Sequence, residues 1–334
     1  MTQGTLTHRA RLEACLAGAQ PDQTPVALWR HFPVDDQTPD GLAAATAAFQ
    51  RAWDFDLIKV TPASSFCLKD WGVEDHWAGN PEGTREYTRR AIHQPEDWAK
   101  LKPLSPTEGQ FGQQIECLRL LVKEFSPHTP IIQTIFSPMS QAKNLIGPAD
   151  LLITMRRDPH ALHEGLQRIT ETTIRFLEEA VKTGIDGVFY AIQHGQYGLL
   201  SSGEFDEFCR PYDLQVLTVA RGLWLNLLHL HGEAVMFDQV LDYPVAVLNW
   251  HDRQTTPTLA EAQQRYRGVV CGGLRQWETM VLGTPEQVRA EAVDAIQSTG
   301  GTRFILGTGC VLPTTAPFGN IQAARTIVEK EKLH

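Results

Sequence analysis

Eight short apolar runs recur along the 334-residue chain, separated by stretches with helical periodicity, and this alternation restricts the fold more than any other feature. The runs cover residues 25–32, 57–61, 131–136, 187–193, 224–231, 245–250, 269–274 and 303–307. Helix signals lie between them. Asp158-Pro159 places an N-cap before a first-turn proline, and Ser201 with Glu204 and Thr284 with Gln287 have capping-box spacing. Gly184, Gly283 and Gly300 stand where helices should turn or stop. Residues 63–127 are longer and more polar, which predicts an insertion of two helices after the second strand. The pattern predicts an α/β fold in one domain spanning 1–334, either a closed (β/α)8 TIM-type barrel or a large open sheet.

Polar residues at the ends of the runs favour the barrel. They read Trp29-Arg30-His31, Lys59-Val60-Thr61, Phe136-Ser137, Gln193-His194, His229-Leu230-His231, Asn249-Trp250-His251-Asp252, Gly273-Leu274-Arg275 and Gly307-Thr308-Gly309-Cys310. A barrel builds its site at the C-terminal ends of its strands, so these groups would converge there. Five of the twelve histidines sit at such ends. No Gly-x-Gly-x-x-Gly follows the first strand and no P-loop occurs, which argues against a nucleotide site. A net charge of −9 without a basic cluster argues against a nucleic-acid partner. No apolar run approaches the roughly 18 residues of a membrane span. The N-terminal residues lack the apolar core of a secretory signal, and the six cysteines have no CxxC spacing. These features predict a cytoplasmic protein that works on a small molecule.

His229 and His231 share one face of an extended strand, with Leu230 on the other. With Cys310 from a Gly-rich turn they offer two imidazoles and a thiolate, the ligand count of a catalytic zinc site with an open fourth position. The alternative is a hydrogen-bonded pair of histidines at a barrel mouth. His251 and Asp252 would orient a ligand from behind, or else cap a helix. Trp29, Phe32, Phe136, Tyr197 and Trp250 are candidates for an apolar wall around an aromatic substrate, or for plain core. Arg30 offers a planar fork for a substrate carboxylate; since Arg30 and His31 point opposite ways along a strand, one of them faces out.

The segments His229-Leu230-His231-Gly232, Gly272-Gly273, Gly283-Thr284-Pro285-Glu286 and Leu306-Gly307-Thr308-Gly309-Cys310 resemble the uroporphyrinogen decarboxylase superfamily. Trp29-Arg30-His31-Phe32, Phe55-Asp56-Leu57-Ile58-Lys59 and Arg210-Pro211-Tyr212 extend the resemblance over nearly the whole chain. It implies a TIM-type barrel and one of two chemistries. Decarboxylases of the family bind tetrapyrrole carboxylates through paired arginines and an aspartate, without metal. Their relatives are zinc-dependent methyltransferases that move a methyl group from a corrinoid to a thiol such as coenzyme M. The resemblance assigns Asp56 and His194 as catalytic or substrate-orienting groups, and Arg30 and Arg275 as the cations available to a carboxylate. Only Arg30 occupies the arginine-rich segment, and Thr308 replaces the histidine of the decarboxylases' Gly-His-Gly turn. Against the methyltransferases, His229 and Cys310 match while His231 replaces a cysteine. The resemblance therefore implies a Zn²⁺-dependent methyltransferase holding metal through His229, His231 and Cys310. Its donor would be a corrinoid, a corrinoid protein or a small methylated compound. The alternatives are a metal-free decarboxylase of a porphyrinogen or smaller carboxylated heterocycle, and a non-catalytic tetrapyrrole- or corrinoid-binding barrel. A homodimer is implied by the resemblance alone.

Overall fold

The computed structural model describes residues 6–329. Its strands are β1 Ile58–Val60, β2 Glu74–His76, β3 Glu86–Arg89, β4 Ile131–Phe136, β5 Gly187–Ile192, β6 Leu227–Leu230, β7 Val247–Trp250, β8 Val269–Leu274 and β9 Phe304–Thr308. A seven-stranded parallel sheet takes the order β1-β4-β5-β6-β7-β8-β9, so neighbours in sequence are neighbours in space. Every residue of β4, β5 and β8 is buried, as expected for parallel strands with helices on one face and a packed interior on the other. At roughly 1.5–3 kcal/mol for each large aliphatic or aromatic side chain removed from water, these runs supply much of the drive to fold.

Residues 25–27 close the barrel as its eighth stave. Ala27 N donates to Leu306 O at 2.9 Å and Leu306 N to Pro25 O at 2.8 Å, which joins the stave to β9. On the other side Asp56 N donates to Val26 O at 2.9 Å, just before β1. The first run is therefore extended but makes only one bridge, Val26 with Leu306, rather than a full strand. The capping boxes at Ser201 and Thr284 form, and Gly300 takes the left-handed C-cap.

The insertion differs from the two helices its length suggests. It holds 3-10 turns at Lys69–Trp71 and Pro95–Lys100, the antiparallel pair β2–β3, and one α-helix, Gly109–Phe125. The hairpin has exposed or half-buried residues throughout, so it carries no apolar signal of its own. Its turn is marked instead by Asn80-Pro81-Glu82-Gly83, with Gly83 at φ +78°. Among the described residues no helix is long and apolar enough to cross a membrane.

Candidate metal centre

Strand register brings the histidines and the cysteine together. In the sheet Ala191 pairs with His229, and His229 with Asn249. His231 follows the end of β6, His251 the end of β7, and Cys310 lies two residues beyond β9. Gly309 lets the last turn close: a Cβ there would sit 2.8 Å from His251 Cα and 3.0 Å from Trp250 O. One donor atom from each of His229, His231, His251 and Cys310 lies within 4.8 Å of all the others. Cys310 Sγ is 3.7 Å from His229 Nε2 and 3.5 Å from His231 Nδ1. A tetrahedron with metal–nitrogen bonds of about 2.05 Å and a metal–sulfur bond of about 2.3 Å has nitrogen–sulfur edges of about 3.6 Å. The donor set therefore fits a divalent metal such as zinc.

Hydrogen bonds aim the imidazole lone pairs inward. Asn249 Nδ2 donates to Cys271 O at 2.9 Å and Thr308 O at 3.1 Å, and carbonyls can only accept. Its Oδ1 must then face His229 Nδ1, at 2.7 Å, so the ring carries its proton on Nδ1 and its lone pair on Nε2, toward Cys310. His251 Nδ1 is 2.9 Å from Gln254 Oε1, while its Nε2 is buried with no partner among the described residues. Burial, then the neighbouring imidazoles, hold His229 well below the usual histidine range. His231 falls to about 4 for the same two reasons, burial first, and His251 is lowered by burial. Burial pushes the Cys310 thiol up to about 12. At neutral pH the cluster is three neutral imidazoles and a protonated thiol, so metal binding has one proton to displace.

His229, His231 and Cys310 also face a cavity of about 80 Å³ inside the barrel mouth. Trp29, Phe136 and Phe189 give it aromatic walls, and Lys59 and Gln193 add polar groups. At about 10–15 Å³ per water by this measure, the enclosed space suits a group of a few heavy atoms rather than a macrocycle. The β2–β3 hairpin covers part of the mouth with Glu82 and Thr84. Glu82 Oε1 accepts from Gln276 Nε2 at 2.7 Å and Trp277 Nε1 at 2.8 Å, and Thr314 N donates to Pro81 O at 2.6 Å.

The remaining candidates lie elsewhere. Asp56 sits before β1, at the opposite end of the barrel, fully buried; it is ion-paired with Arg11 and accepts from Val26 N at 2.7 Å. Both carboxylate oxygens are thus occupied, although burial raises its pKa. Arg30 is directed away from the cavity, its guanidinium 5.6 Å from the Phe32 ring, while Trp29 and His31 on either side of it line the cavity. Arg275 is ion-paired with Glu291, which also accepts from its backbone N at 3.0 Å. His194 is buried beside the cavity-lining Gln193 but is not itself a lining residue. Tyr197 is 53% exposed, so it is no part of the apolar wall. Phe32, half-buried, packs on Phe49 against the edge of the core, and Trp250 packs on Phe237 within it. Phe189 and Glu82 at the cavity are not singled out by sequence, and Lys59, Asn249 and His251 enter there among the polar strand ends expected to converge, without the places at the cavity, behind His229 and in the cluster that the structure gives them. The period-2 pattern could have found several, because Phe189, Ala191 and Gln193 all face inward, as do Lys59 and Thr61.

A parallel barrel with a polar cluster at its C-terminal mouth defines a TIM-type scaffold. The chain belongs to the uroporphyrinogen decarboxylase (URO-D) family, which it matches over residues 7–331. It is 23% identical over 249 residues to the methylcobamide:CoM methyltransferase MtbA of Methanosarcina acetivorans, covering 73% of this chain and 71% of that protein. It is 24% identical over 241 residues to the uroporphyrinogen decarboxylase of Chlorobaculum parvum, covering 67% of this chain and 66% of the relative. Aligned stretches thus span about two thirds of these relatives. Among solved structures, a methyltransferase from Methanosarcina mazei superposes with a TM-score of 0.85 at 17% identity, over 98% of this chain and 99% of its own. A B12-independent methionine synthase from a Shewanella species gives 0.60 at 13% identity, over 93% and 98%.

Proposed function

We propose that this protein is a zinc-dependent methyltransferase that moves a methyl group from a corrinoid or small methylated donor to a nucleophile activated at the His–Cys cluster. The observation that supports this most is the convergence of His229, His231, His251 and Cys310 on one point at the cavity wall. Zinc bound there would supply Lewis acidity, lowering the pKa of an acceptor such as a thiol so that its conjugate base is available at neutral pH. Asn249 holds His229 in the ligating tautomer, and with His229, His231 and Cys310, which line the cavity, as the ligands, a fourth position would stay open to the acceptor, while His251 is not among the lining residues. Trp29, Phe136 and Phe189 exclude water from the acceptor, which keeps a nucleophile poorly solvated. The corrinoid or other donor would approach at the mouth, beside the hairpin.

Decarboxylation of a polycarboxylated tetrapyrrole fits less well. Several carboxylates need several cations to offset their desolvation. Arg30 and Arg275 both lie outside the cavity lining, which leaves Lys59. Elemental analysis of the purified protein tests the proposal, with His229→Ala and Cys310→Ala alongside. The expected result is about one zinc per chain, lost in both variants. A wild-type protein that stays empty after incubation with zinc overturns it, and porphyrinogen decarboxylation that survives chelation would establish the other chemistry.

A further inference from the structure

Four aspartates are buried among the described residues, and three of them face a cation or a backbone N–H. Asp56 faces Arg11, Asp186 faces Arg9 and accepts from Ile131 N at 2.9 Å, and both oxygens of Asp252 accept from Gly273 N at 3.1 Å. Asp213 has no ion-pair partner and no backbone donor among the described residues. It lies in the first turn of the helix Arg210–Ala220, and two phenols meet its side chain. Tyr190 OH donates to Oδ1 at 2.6 Å and Tyr243 OH to Oδ2 at 3.1 Å. Tyr190 belongs to β5, where Phe189 and Ala191 face the cavity, so alternation turns it outward toward the helices. Tyr243 follows the 3-10 turn Phe237–Val240 in the connection from β6 to β7. One carboxylate thus joins its helix to two elements that lie 23 and 30 residues away in sequence.

The titratable groups around it are Tyr190 from β5, Tyr243 from the connection, and Cys209 and Arg210 from the start of its own helix. Burial, then the Asp213 charge, holds both phenols and the thiol above their ordinary values, so they keep their protons. Arg210 is committed elsewhere: its Nη1 donates to Gln239 O at 2.7 Å, its Nη2 pairs with Asp242, and its guanidinium lies 5.3 Å from the Tyr243 ring centre. The packed helix Pro159–Lys182 presents His163, which bonds to Tyr212 OH at 2.8 Å and faces Glu207 of the helix Ser202–Phe208. Asp206 of that same short helix acts on Arg210. Burial is the largest influence on Asp213 and raises it to about 7, against the pull of the two phenols.

We propose that Asp213 is a proton-operated brace behind the barrel wall: charged, it ties β5 to the β6–β7 connection through both phenols, and on gaining a proton it releases Tyr243. A carboxylate only accepts, so two phenol donors are both satisfied by it. Protonation removes the buried charge but leaves three O–H groups. Tyr190 and Tyr243 are not hydrogen-bonded to each other among the described residues, so a phenol that accepts from the carboxyl keeps a buried O–H without an acceptor. Each state carries one penalty, a buried charge or an orphaned donor, and pH decides between them. The 2.6 Å bond to Tyr190 has the length of a charge-assisted contact, which leaves the longer one, to Tyr243, as the one to break. Tyr243 anchors a connection that begins at His231 and contains Phe237, whose ring centre lies 4.9 Å from that of Trp250. Proton uptake therefore loosens the segment beside the donor cluster without touching a donor.

Difference infrared spectroscopy of the full-length protein tests the proton, and amide hydrogen exchange read by mass spectrometry tests the release. Between about pH 6 and about pH 8 the wild-type protein should lose a buried carboxylic C=O band that Asp213→Asn lacks throughout. Asp252, which burial also raises to about 7, gives a second band that remains in the variant. Corrected for intrinsic rates, exchange across residues 236–244 should be about three- to tenfold faster at about pH 6 than at about pH 8, the equivalent of one hydrogen bond. Asp213→Asn, which fixes the neutral form, should exchange fast at both values. Tyr243→Phe, which has no hydroxyl to release, should show no pH effect there while keeping the band. Absence of the band, a wild-type exchange ratio near one, or a pH effect that persists in either variant overturns the proposal. Zinc content is measured in every sample, and an exchange rate that follows zinc rather than pH overturns it as well.

Discussion

The two ends of the barrel handle buried polarity differently. At the N-terminal end Arg11 bridges Asp22 and Asp56, with its Nη2 also donating to Leu6 O at 3.0 Å, and Asp56 accepts from Val26 N. Each of these three charged groups has a partner among the described residues. At the C-terminal end His251 Nε2 and His31 Nδ1 are buried without partners among the described residues, and Lys59 lacks a counter-ion. The first arrangement serves stability, because each charge is matched internally. The second leaves donors and acceptors directed at what the chain does not itself supply. An aspartate in a site-like sequence context can thus be structural, and what distinguishes it is whether its hydrogen bonds are already taken.

This contrast can be broken most forcefully at the closed end. Asp56→Ala leaves Arg11 with one fewer counter-charge and should cost about 3–5 kcal/mol of stability, read by denaturant unfolding. Zinc content per folded chain should be unchanged; loss of zinc with little loss of stability would put Asp56 in the site after all. Asn249→Leu probes the open end with the same number of side-chain heavy atoms and the same branching. It removes the hydrogen bond that fixes the His229 tautomer and should weaken zinc binding about 10–100-fold in competition with a chelator. Affinity within twofold of wild type would show that the amide has no orienting role.

The smallest and most diagnostic effect is in pH. The Cys310 thiol lies at about 12 without metal, while His231 lies at about 4 and His229 well below its usual range. Between pH 6 and 8 the imidazoles are already neutral and the thiol is protonated, so binding releases one proton. Zinc affinity should therefore rise about tenfold per pH unit across that window. A flat profile would mean that Cys310 is not a ligand.

Much of this was legible from alternation alone. Runs 131–136 and 269–274 coincide with β4 and β8, because fully buried parallel strands read as uninterrupted apolar stretches. The His-x-His pair and Cys310 meet because period-2 geometry and parallel register place them on one side of neighbouring strand ends. The misplaced residues share a physical reason. Arg30 lies between the inward Trp29 and His31, and His194 lies one position past the inward Gln193; in extended chain, one residue reverses the face. Asp56 precedes the inward-facing Lys59 by most of a strand and so belongs to the other end. His251 was placed only as an orienting group because the approach of Gly309 to it depends on two loops 58 residues apart in sequence closing in space, which no local pattern encodes. The hairpin was missed because exposed strands carry no apolar signal.

That hairpin has a further consequence. Glu82 and Thr84 come from an excursion between the first two helical connections of the scaffold, whereas the four metal-donor candidates come from the strand ends in the second half of the chain. The part that shapes what enters and the part that would activate it are thus encoded in separate stretches of sequence. Exchanging the turn at residues 77–85 would retune the size and polarity of accepted molecules with the His–Cys donors untouched, so that selectivity and reactivity in this barrel are free to diverge independently.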